Sequence, residues 1–373
     1  MRAFFKKLNK PLFWYILLAL LVLVSIVFVN HNHFLYEKPI AEVTGVKLVA
    51  SEDLVDSFDN HDHLYRQEIE AVIKNGDLKG QTVSIINEYS DSGAYDTEYH
   101  VGNEVFVSIK QSANEDTLTG TIQSVKRDQY VVLVAWVFIL TLLFVGKKQG
   151  FFAVISLAVN AAILSYALDV YVKTGANLLW ICGISVVIFT IISLMLVNGI
   201  NEKTFAAIIA TLLGTFVSLL ITFFIMKITN DSGLQYEEMQ FLTRPYRMVF
   251  MAGIFIGSLG AVMDVAITLV SSIFGLYEKK PDISVKALRA SGFEIGKDIM
   301  GTMTNILFFA YISGSIPMLI LYFKNASLLG FTLSMNLSLE LARALAGGIG
   351  IVITIPIGLY TAIFFINRKR RRV

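Results

Sequence analysis

Two carboxylates and two smaller polar side chains lie inside long apolar stretches of this chain. Asp298, Thr302 and Asn305 follow one another at intervals of four and three residues, a spacing that puts them on one face of a helix. Asp264 precedes a further apolar run in the neighbouring stretch. A short carboxylate in hydrocarbon needs a partner, a proton or water. These residue types predict binding of a cation, transfer of protons or hydrogen bonding to a solute.

The two stretches are expected to pair as an antiparallel hairpin, which would join these side chains into a polar pocket. A structural role is also open for each carboxylate. Asp298, next to Lys297, would face the positive end of its helix dipole, and Asp264 would be neutralised by a buried base or amide.

Amino-acid composition indicates the class of protein to which this chain belongs. Of 373 residues, 55% are hydrophobic and 16% are charged, and the mean hydropathy is +0.64. These values are typical of a protein that crosses a membrane several times. The net charge of +2 is uninformative, whereas the distribution of basic residues is informative.

Eight apolar runs approach the length of about 20 residues that crosses a bilayer. The sequence therefore predicts an α-helical polytopic membrane protein with a cytoplasmic N-terminus and signal-anchor helix over residues 1–29 and a seven-helix membrane domain over residues 130–373. The predicted spans are Leu12–Val29, Tyr130–Gly146, Phe151–Tyr171, Ala176–Asn198, Phe205–Ile228, Tyr246–Leu276, Asp298–Phe323 and Ala342–Ile366.

Lysine and arginine clusters set the predicted orientation, because cytoplasmic loops retain positive charge. With eight spans, every cluster falls on one side, so both termini are predicted to be cytoplasmic and residues 30–129 to lie outside. The clustered residues are Arg2, Lys6, Lys7 and Lys10; Lys147 and Lys148; Lys203; Lys279, Lys280, Lys286, Arg289 and Lys297 in the predicted sixth connector; and the basic run 368–372.

Residues 30–129 are predicted to form a small, mainly β domain. Runs such as Gln81–Asn87 and Val105–Ile109 alternate with turn signals, and Glu68–Lys74 is expected to contribute a helical turn or two. Cys182 is the only cysteine of the chain and lies in an apolar run, so this domain carries no disulfide.

His31, His33, His61 and His63 are weak candidates for a metal site. Their His-Asn-His and His-Asp-His spacing could place two imidazoles on one side of an extended segment. No cysteine pair or helical histidine spacing accompanies them, so we expect solvated loop histidines and no metal.

Glycines, prolines and one charged pair shape the apolar runs. Gly253, Gly257 and Gly260 repeat the small-residue spacing that lets helices approach closely. Pro317 and Pro356 each remove a backbone hydrogen bond and predict kinks, either structural or acting as hinges. Glu340 and Arg343 lie three residues apart and are expected to pair in an interfacial amphipathic turn before the final span.

No Walker-type loop and no metalloprotease or serine-hydrolase motif occurs in the sequence. We therefore expect neither an enzyme nor a cofactor. Basic runs at membrane ends are explained by orientation and anionic lipids, so nucleic acid is not an expected partner.

The stretches Gly257–Ala266 and Ser291–Tyr311, with Gly-Ile-Gly-Ile-Val and Ile-Pro near the end, resemble the signature of the YibE/F-like family of bacterial multispan proteins. The resemblance extends from about Tyr130 to the end of the chain and implies a predicted permease of the bacterial cell membrane. Ile306 and Phe308-Phe309 depart from the family pattern. The positions that match the family motif are Asp264, Gly292, Gly296, Asp298, Gly301, Thr302, Thr304 and Asn305. The resemblance thereby implies that Thr304 belongs to the candidate pathway and that Gly301 is a packing glycine.

Two functions are expected from these features. In the first, the chain is a secondary permease in which Asp264 and Asp298 couple a proton or cation to movement of an unknown solute, with a companion membrane subunit or a second copy completing the pathway. In the second, it is a membrane sensor or scaffold whose outer β domain binds a partner. Transport requires water-accessible carboxylates, whereas a scaffold would tolerate Asp264→Asn.

Overall fold

The computed structural model describes residues 10–93, 96–110, 118–239 and 245–371. The chain divides into two compact units, Met1–Thr141 and Leu142–Val373. The basic residues Arg2, Lys6, Lys7 and Arg372, used to predict the orientation, lie outside the described residues.

The first unit contains a five-stranded closed barrel. Its strands are ordered β1-β2-β3-β5-β4, and every neighbouring pair is antiparallel except the parallel pair of β3 and β5. The predicted runs Gln81–Asn87 and Val105–Ile109 fall in β3 and β4. The strands are β1 (Ile40–Val55), β2 (His61–Ile73), β3 (Thr82–Ser90), β4 (Glu104–Lys110) and β5 (Leu118–Val125).

The helical turn predicted over Glu68–Lys74 is wrong, because this segment belongs to β2. Ile69, Ala71 and Ile73 are buried in the barrel core while the residues between them point outward. That alternation has the two-residue period of a strand. The β-branched residues Ile69, Val72 and Ile73 also favour a strand.

The first unit also contains α1 (Lys10–Asn30) and the start of α2 (Asp128–Thr174). Lys147 interrupts α2 with φ of 48° and ψ of −120°, so two helical segments meet there. Gly150 lies against the carbonyl oxygen of Leu142, which leaves no room for a Cβ atom. The second and third predicted spans are therefore separated by a backbone break and not by a loop.

The second unit is helical throughout its regular structure. Five helices of the described chain are long and apolar enough to cross a membrane, namely α2, α3, α4, α5 and α9, and a bent pair, α6 with α7, makes a sixth. The count of eight spans stays a prediction. Beyond α2 the helices are α3 (Leu178–Asn198), α4 (Glu202–Ile228), α5 (Tyr246–Lys279), α6 (Val285–Ser313), α7 (Ile316–Lys324), α8 (Leu329–Met335) and α9 (Ser338–Arg370), with a 3₁₀ turn at Tyr236–Glu238.

The helix expected to begin at Asp298 begins instead at Val285. Ser284 caps it, because its side chain accepts a hydrogen bond of 3.1 Å from the Ala287 amide. The predicted basic connector is therefore mostly helical. The same helix ends at Ser313, and α7 continues after a bend of 60° with Pro317 in its first turn, whereas α9 continues through Pro356.

The core of the second unit forms where α9 contacts α4, α5 and α6. Leu269 and Ile273 of α5, Leu288 of α6 and Ile351 of α9 are fully buried there. The glycines Gly292 and Gly296 of α6 lie directly against Leu359 and Ile355 of α9, so side chains at these positions would separate the two helices. This core fixes which faces of α5 and α6 point outward.

Candidate functional site

One exposed stripe of α5 consists of Gly253, Gly257, Gly260 and Asp264. The opposite side of the same helix, including Val262 and Val265, is fully buried. Asp264 makes no hydrogen bond or ion pair with the described residues. The structure thus places this carboxylate on the outward face of the second unit, at the end of a row of glycines.

A second exposed stripe lies on α6 and contains Asp298, Gly301, Thr302 and Asn305. The Thr302 hydroxyl donates to the carbonyl of Ile299 at 3.0 Å, a bond within its own helix. Thr304 lies apart from this stripe and faces α9, with its methyl carbon 3.6 Å from the Cβ position of Gly348. The pathway candidates of α6 are therefore divided between two faces.

The depth of these residues follows from the register of the α5/α6 hairpin. Gly257 lies against Tyr311, and Ile273 lies against Gly292, so the two helices are antiparallel. Asp264 is about midway between Gly257 and Ile273 and is level with the turn of α6 that carries Thr302. Asp298 then lies about one turn further toward the connector of the hairpin.

A polar cavity of about 370 Å³ opens at the Tyr246 end of α5. Its walls are the last turn of α6, the break before α7, and the start of α9. About half of its lining is apolar, and its polar and charged groups come from Tyr311, Ser315, Asn336, Glu340 and Arg343. The cavity therefore lies within one compact unit and brings together residues that are distant in sequence.

Glu340 and Arg343 form the charged centre of the cavity. Arg343 Nη1 lies 2.7 Å from Glu340 Oε1, and the two side chains are only 22% and 21% exposed. The guanidinium carbon also lies 5.2 Å from the centre of the Phe250 ring, within the range of a cation–π interaction. Gly253 lies beside this guanidinium, and a Cβ atom there would be in ordinary contact with Arg343 Nε at 4.0 Å.

Tyr311 is a site residue that sequence reasoning missed. Its hydroxyl lies against Gly257 and is buried without a hydrogen-bond partner among the described residues. The ion pair was expected from its spacing, but its place in a cavity was not. The glycine stripe was the available signal, since glycine in a helix often marks where another group approaches the backbone closely.

An aromatic group supports the wall behind Arg343. Tyr236 lies 5.8 Å from Phe250 between ring centres, nearly perpendicular to it. Burial, followed by the charge of Asp231, raises the pKa of the Tyr236 hydroxyl to about 12. This phenol therefore stays neutral near neutral pH.

The four histidines proposed as weak metal ligands have separate partners. His31 Nδ1 lies 2.9 Å from the Val27 carbonyl oxygen, and His33 Nε2 lies 2.6 Å from Glu104 Oε1. His61 and His63 lie beside Asp59 and Asp53 respectively. Within the described residues, no group of three or more metal-ligating side chains comes together.

A buried charge network lies within the first unit, where the barrel meets α1 and α2. Lys126 is 1% exposed, and its ammonium donates to Glu104 at 2.9 Å and to the Val29 carbonyl of α1 at 2.9 Å. It also lies 3.2 Å from Asp128 at the start of α2. Tyr36 donates to Asp128 at 2.8 Å. One side chain thus links a strand of the barrel to both helices.

Two family models match the chain. The one described as YibE/F-like protein covers residues 134–368, and the one described as YibE/F family N-terminal domain covers residues 34–125, which include all five strands of the barrel. No curated protein and no solved structure matches the chain.

Proposed function

This chain belongs to the YibE/F-like family, and from that premise we propose that it is a multi-pass permease of the bacterial cell membrane. It crosses the membrane eight times, with both termini in the cytoplasm and the barrel outside. A small solute or an ion passes along the outward faces of α5 and α6. Asp264 and Asp298 carry the proton or cation that is coupled to this movement.

The observation that carries the proposal is the row of glycines on α5 that ends at Asp264. A Cβ atom at Gly260 would meet no other atom within 4 Å, so the helix surface beside the carboxylate is open. A carboxylate on an apolar spanning helix is costly in lipid unless water or a partner reaches it. An open surface beside an unpaired carboxylate favours a water-accessible groove.

The α6 stripe supplies the second set of polar groups along this groove. Thr302 is level with Asp264, and Asp298 lies nearer the connector of the hairpin. A solute or ion leaving Asp264 would therefore meet Asp298 next. Gly260 and Asp264 of α5 and the stripe of α6 are exposed, so the opposite wall of the groove is provided from outside the second unit, and a companion subunit or a second copy could supply it.

Solvent accessibility of the α5 stripe tests the proposal. Single cysteines replace Gly260, Asp264 or Leu213 in a Cys182→Ala background, and a membrane-impermeant maleimide is added from each side. Leu213 is the control, since it is exposed on the apolar surface of α4. We expect labelling at 260 and 264 and none at 213. Protection at both stripe positions in the folded protein would contradict a groove.

A second candidate function, partner binding by the outer domain, is favoured by the end of the β1/β2 hairpin. Leu54, Val55 and Phe58 are exposed there, with Phe58 at 54% exposure. Such a cluster of apolar side chains is a candidate contact surface. A photo-crosslinking residue at Phe58 would give a discrete adduct in cells if the hairpin binds a partner, whereas one at exposed Lys79 on the barrel would not.

The two functions differ in their dependence on Asp264. Asp264→Asn removes the titratable group while keeping its size, so it abolishes coupled transport in a permease. The same change leaves crosslinking at Phe58 unaffected. A discrete crosslink at Phe58 together with a protected α5 stripe would favour the scaffold.

A further inference from the structure

We propose that the cavity between the end of α6 and the start of α9 binds a small zwitterion, a solute that carries both a carboxylate and an ammonium group. The inference deepens the proposed transport function, because this cavity would be where a solute first enters from outside. Binding itself does not depend on transport and is measured separately from it.

The size of the cavity limits the ligand. A volume of about 370 Å³ is at the lower end of the range for small-molecule sites. It accommodates a solute the size of an amino acid.

The charge of the cavity selects a zwitterion. Among the described lining residues, the charged ones are Glu340 and Arg343, and together they are neutral. A ligand with a single charge would leave the partly buried cavity with a net charge, which is unfavourable. A zwitterion offers a carboxylate to Arg343 and an ammonium to Glu340, so both charges stay compensated.

Tyr311 supplies a further donor for the carboxylate. Its buried hydroxyl has no hydrogen-bond partner in the described structure, and an unsatisfied buried donor is costly. Arg343 uses Nη1 for Glu340, and its planar fork carries further N–H groups that can bind a carboxylate. Tyr311 and Arg343 both line the cavity. The Tyr311 hydroxyl, which is packed against Gly257, would turn toward the cavity to reach the same ligand oxygen atoms as Arg343.

The helix ends around the cavity carry partial charges that suit the two charged groups of a zwitterion. The last turn of α6, which ends at Ser313, directs carbonyl groups and partial negative charge toward the break. The first turn of α9, beginning at Ser338, carries partial positive charge. An ammonium near the first and a carboxylate near the second would each be stabilised.

Calorimetry on the purified full-length protein tests the inference. The probes are the twenty amino acids at neutral pH, with acetate and methylamine as singly charged controls. We expect at least one amino acid to bind, and acetate and methylamine to bind at least 100-fold more weakly. A panel without any binder, or equal binding of acetate, would overturn the inference.

Two variants show whether the ligand occupies this cavity. Tyr311→Phe keeps the ring and should weaken binding about tenfold, the loss of one hydrogen bond to a charged group. The double variant Glu340→Gln, Arg343→Met avoids an unpaired buried charge and should abolish binding while the protein stays folded. Retention of affinity in the folded double variant would place the ligand elsewhere.

Asp264→Asn separates this inference from the transport proposal. The residue does not line the cavity, so the variant should bind the amino acid with unchanged affinity. If an amino acid binds normally but the α5 stripe is protected from labelling, the transport groove is contradicted and the ligand site in the cavity is supported. If the stripe is accessible but no amino acid binds, the groove is supported and the ligand site is contradicted.

Discussion

At the residue scale, the glycines of α5 do different things although they share one stripe. Gly257 makes room for Tyr311, Gly253 leaves ordinary contact distance to Arg343, and Gly260 faces open space. Their common spacing predicted a uniform packing role. Spacing identifies the shared face of a helix, but it does not tell which neighbour covers each position.

Alanine substitutions should separate these roles. Gly257→Ala forces Tyr311 to move and should cost about 1–3 kcal/mol, as overpacking does. Gly260→Ala meets no atom within 4 Å and should gain about 0.5–1 kcal/mol from the better helix propensity of alanine. Thermal unfolding followed by circular dichroism measures both. Equal effects of the two changes would show that Tyr311 does not occupy the surface of Gly257.

At the element scale, apolar length and period predicted the existence of most elements. They did not predict where α6 begins, because the charged segment from Val285 onward was treated as a connector. Ser284 as a cap and Leu288 as a buried anchor extend the helix into that segment. Likewise, Asp298, Thr302 and Asn305 were correctly assigned to one helical face by their period, but the direction of that face depends on tertiary packing.

The break in α2 leads to a prediction at the same scale. Lys147 has a positive φ, a conformation that glycine adopts without strain and that costs other residues about 1–3 kcal/mol. Lys147→Gly should therefore stabilise the protein by about 1 kcal/mol. Lys148→Gly, in regular helix one residue later, should destabilise it by about 0.5–1 kcal/mol. Two shifts of the same sign in thermal unfolding would contradict the assigned backbone.

For the molecule as a whole, Lys126 couples the folding of the barrel to the two helices that flank it in sequence. Lys126→Met leaves Glu104 and Asp128 without their shared cation, which should cost about 3 kcal/mol or more. Lys38→Met, which removes an exposed contact of 3.2 Å with Gln123, is the matched control and should change stability by less than about 0.5 kcal/mol. Limited proteolysis of the barrel in the purified full-length protein compares the two. Equal protection would show that the network does not stabilise the barrel.

The same network gives stability a pH dependence. Burial lowers the pKa of Lys126, but its hydrogen bonds and charge interactions with Glu104 and Asp128 outweigh burial, so this pKa is raised in the folded protein. Burial and the bond to Asp128 also raise the pKa of Tyr36. Both groups favour folding while protonated. Their contribution is complete below about pH 10 and decreases as pH rises through the folded pKa values.

Melting temperature measured across this alkaline range tests that dependence. Wild type should lose stability more steeply above about pH 10 than the Tyr36→Phe variant, which lacks one of the two titrating groups. Tyr130→Phe, on an exposed residue, should keep the wild-type slope. Identical slopes for all three proteins would mean that the network does not titrate with folding.

The closure of the barrel has a consequence for molecules crowded on a membrane surface. A sheet with open edges recruits strands from its neighbours, and this route leads to aggregation. Here β3 and β5 pair in parallel and β1 pairs with β4, so the ring has no open side. Beyond the barrel, β1 from Val46 onward and β3 from Ile86 onward are paired in the described chain only with β2. A strand from another protein would therefore be added along these projecting edges and not to the closed ring.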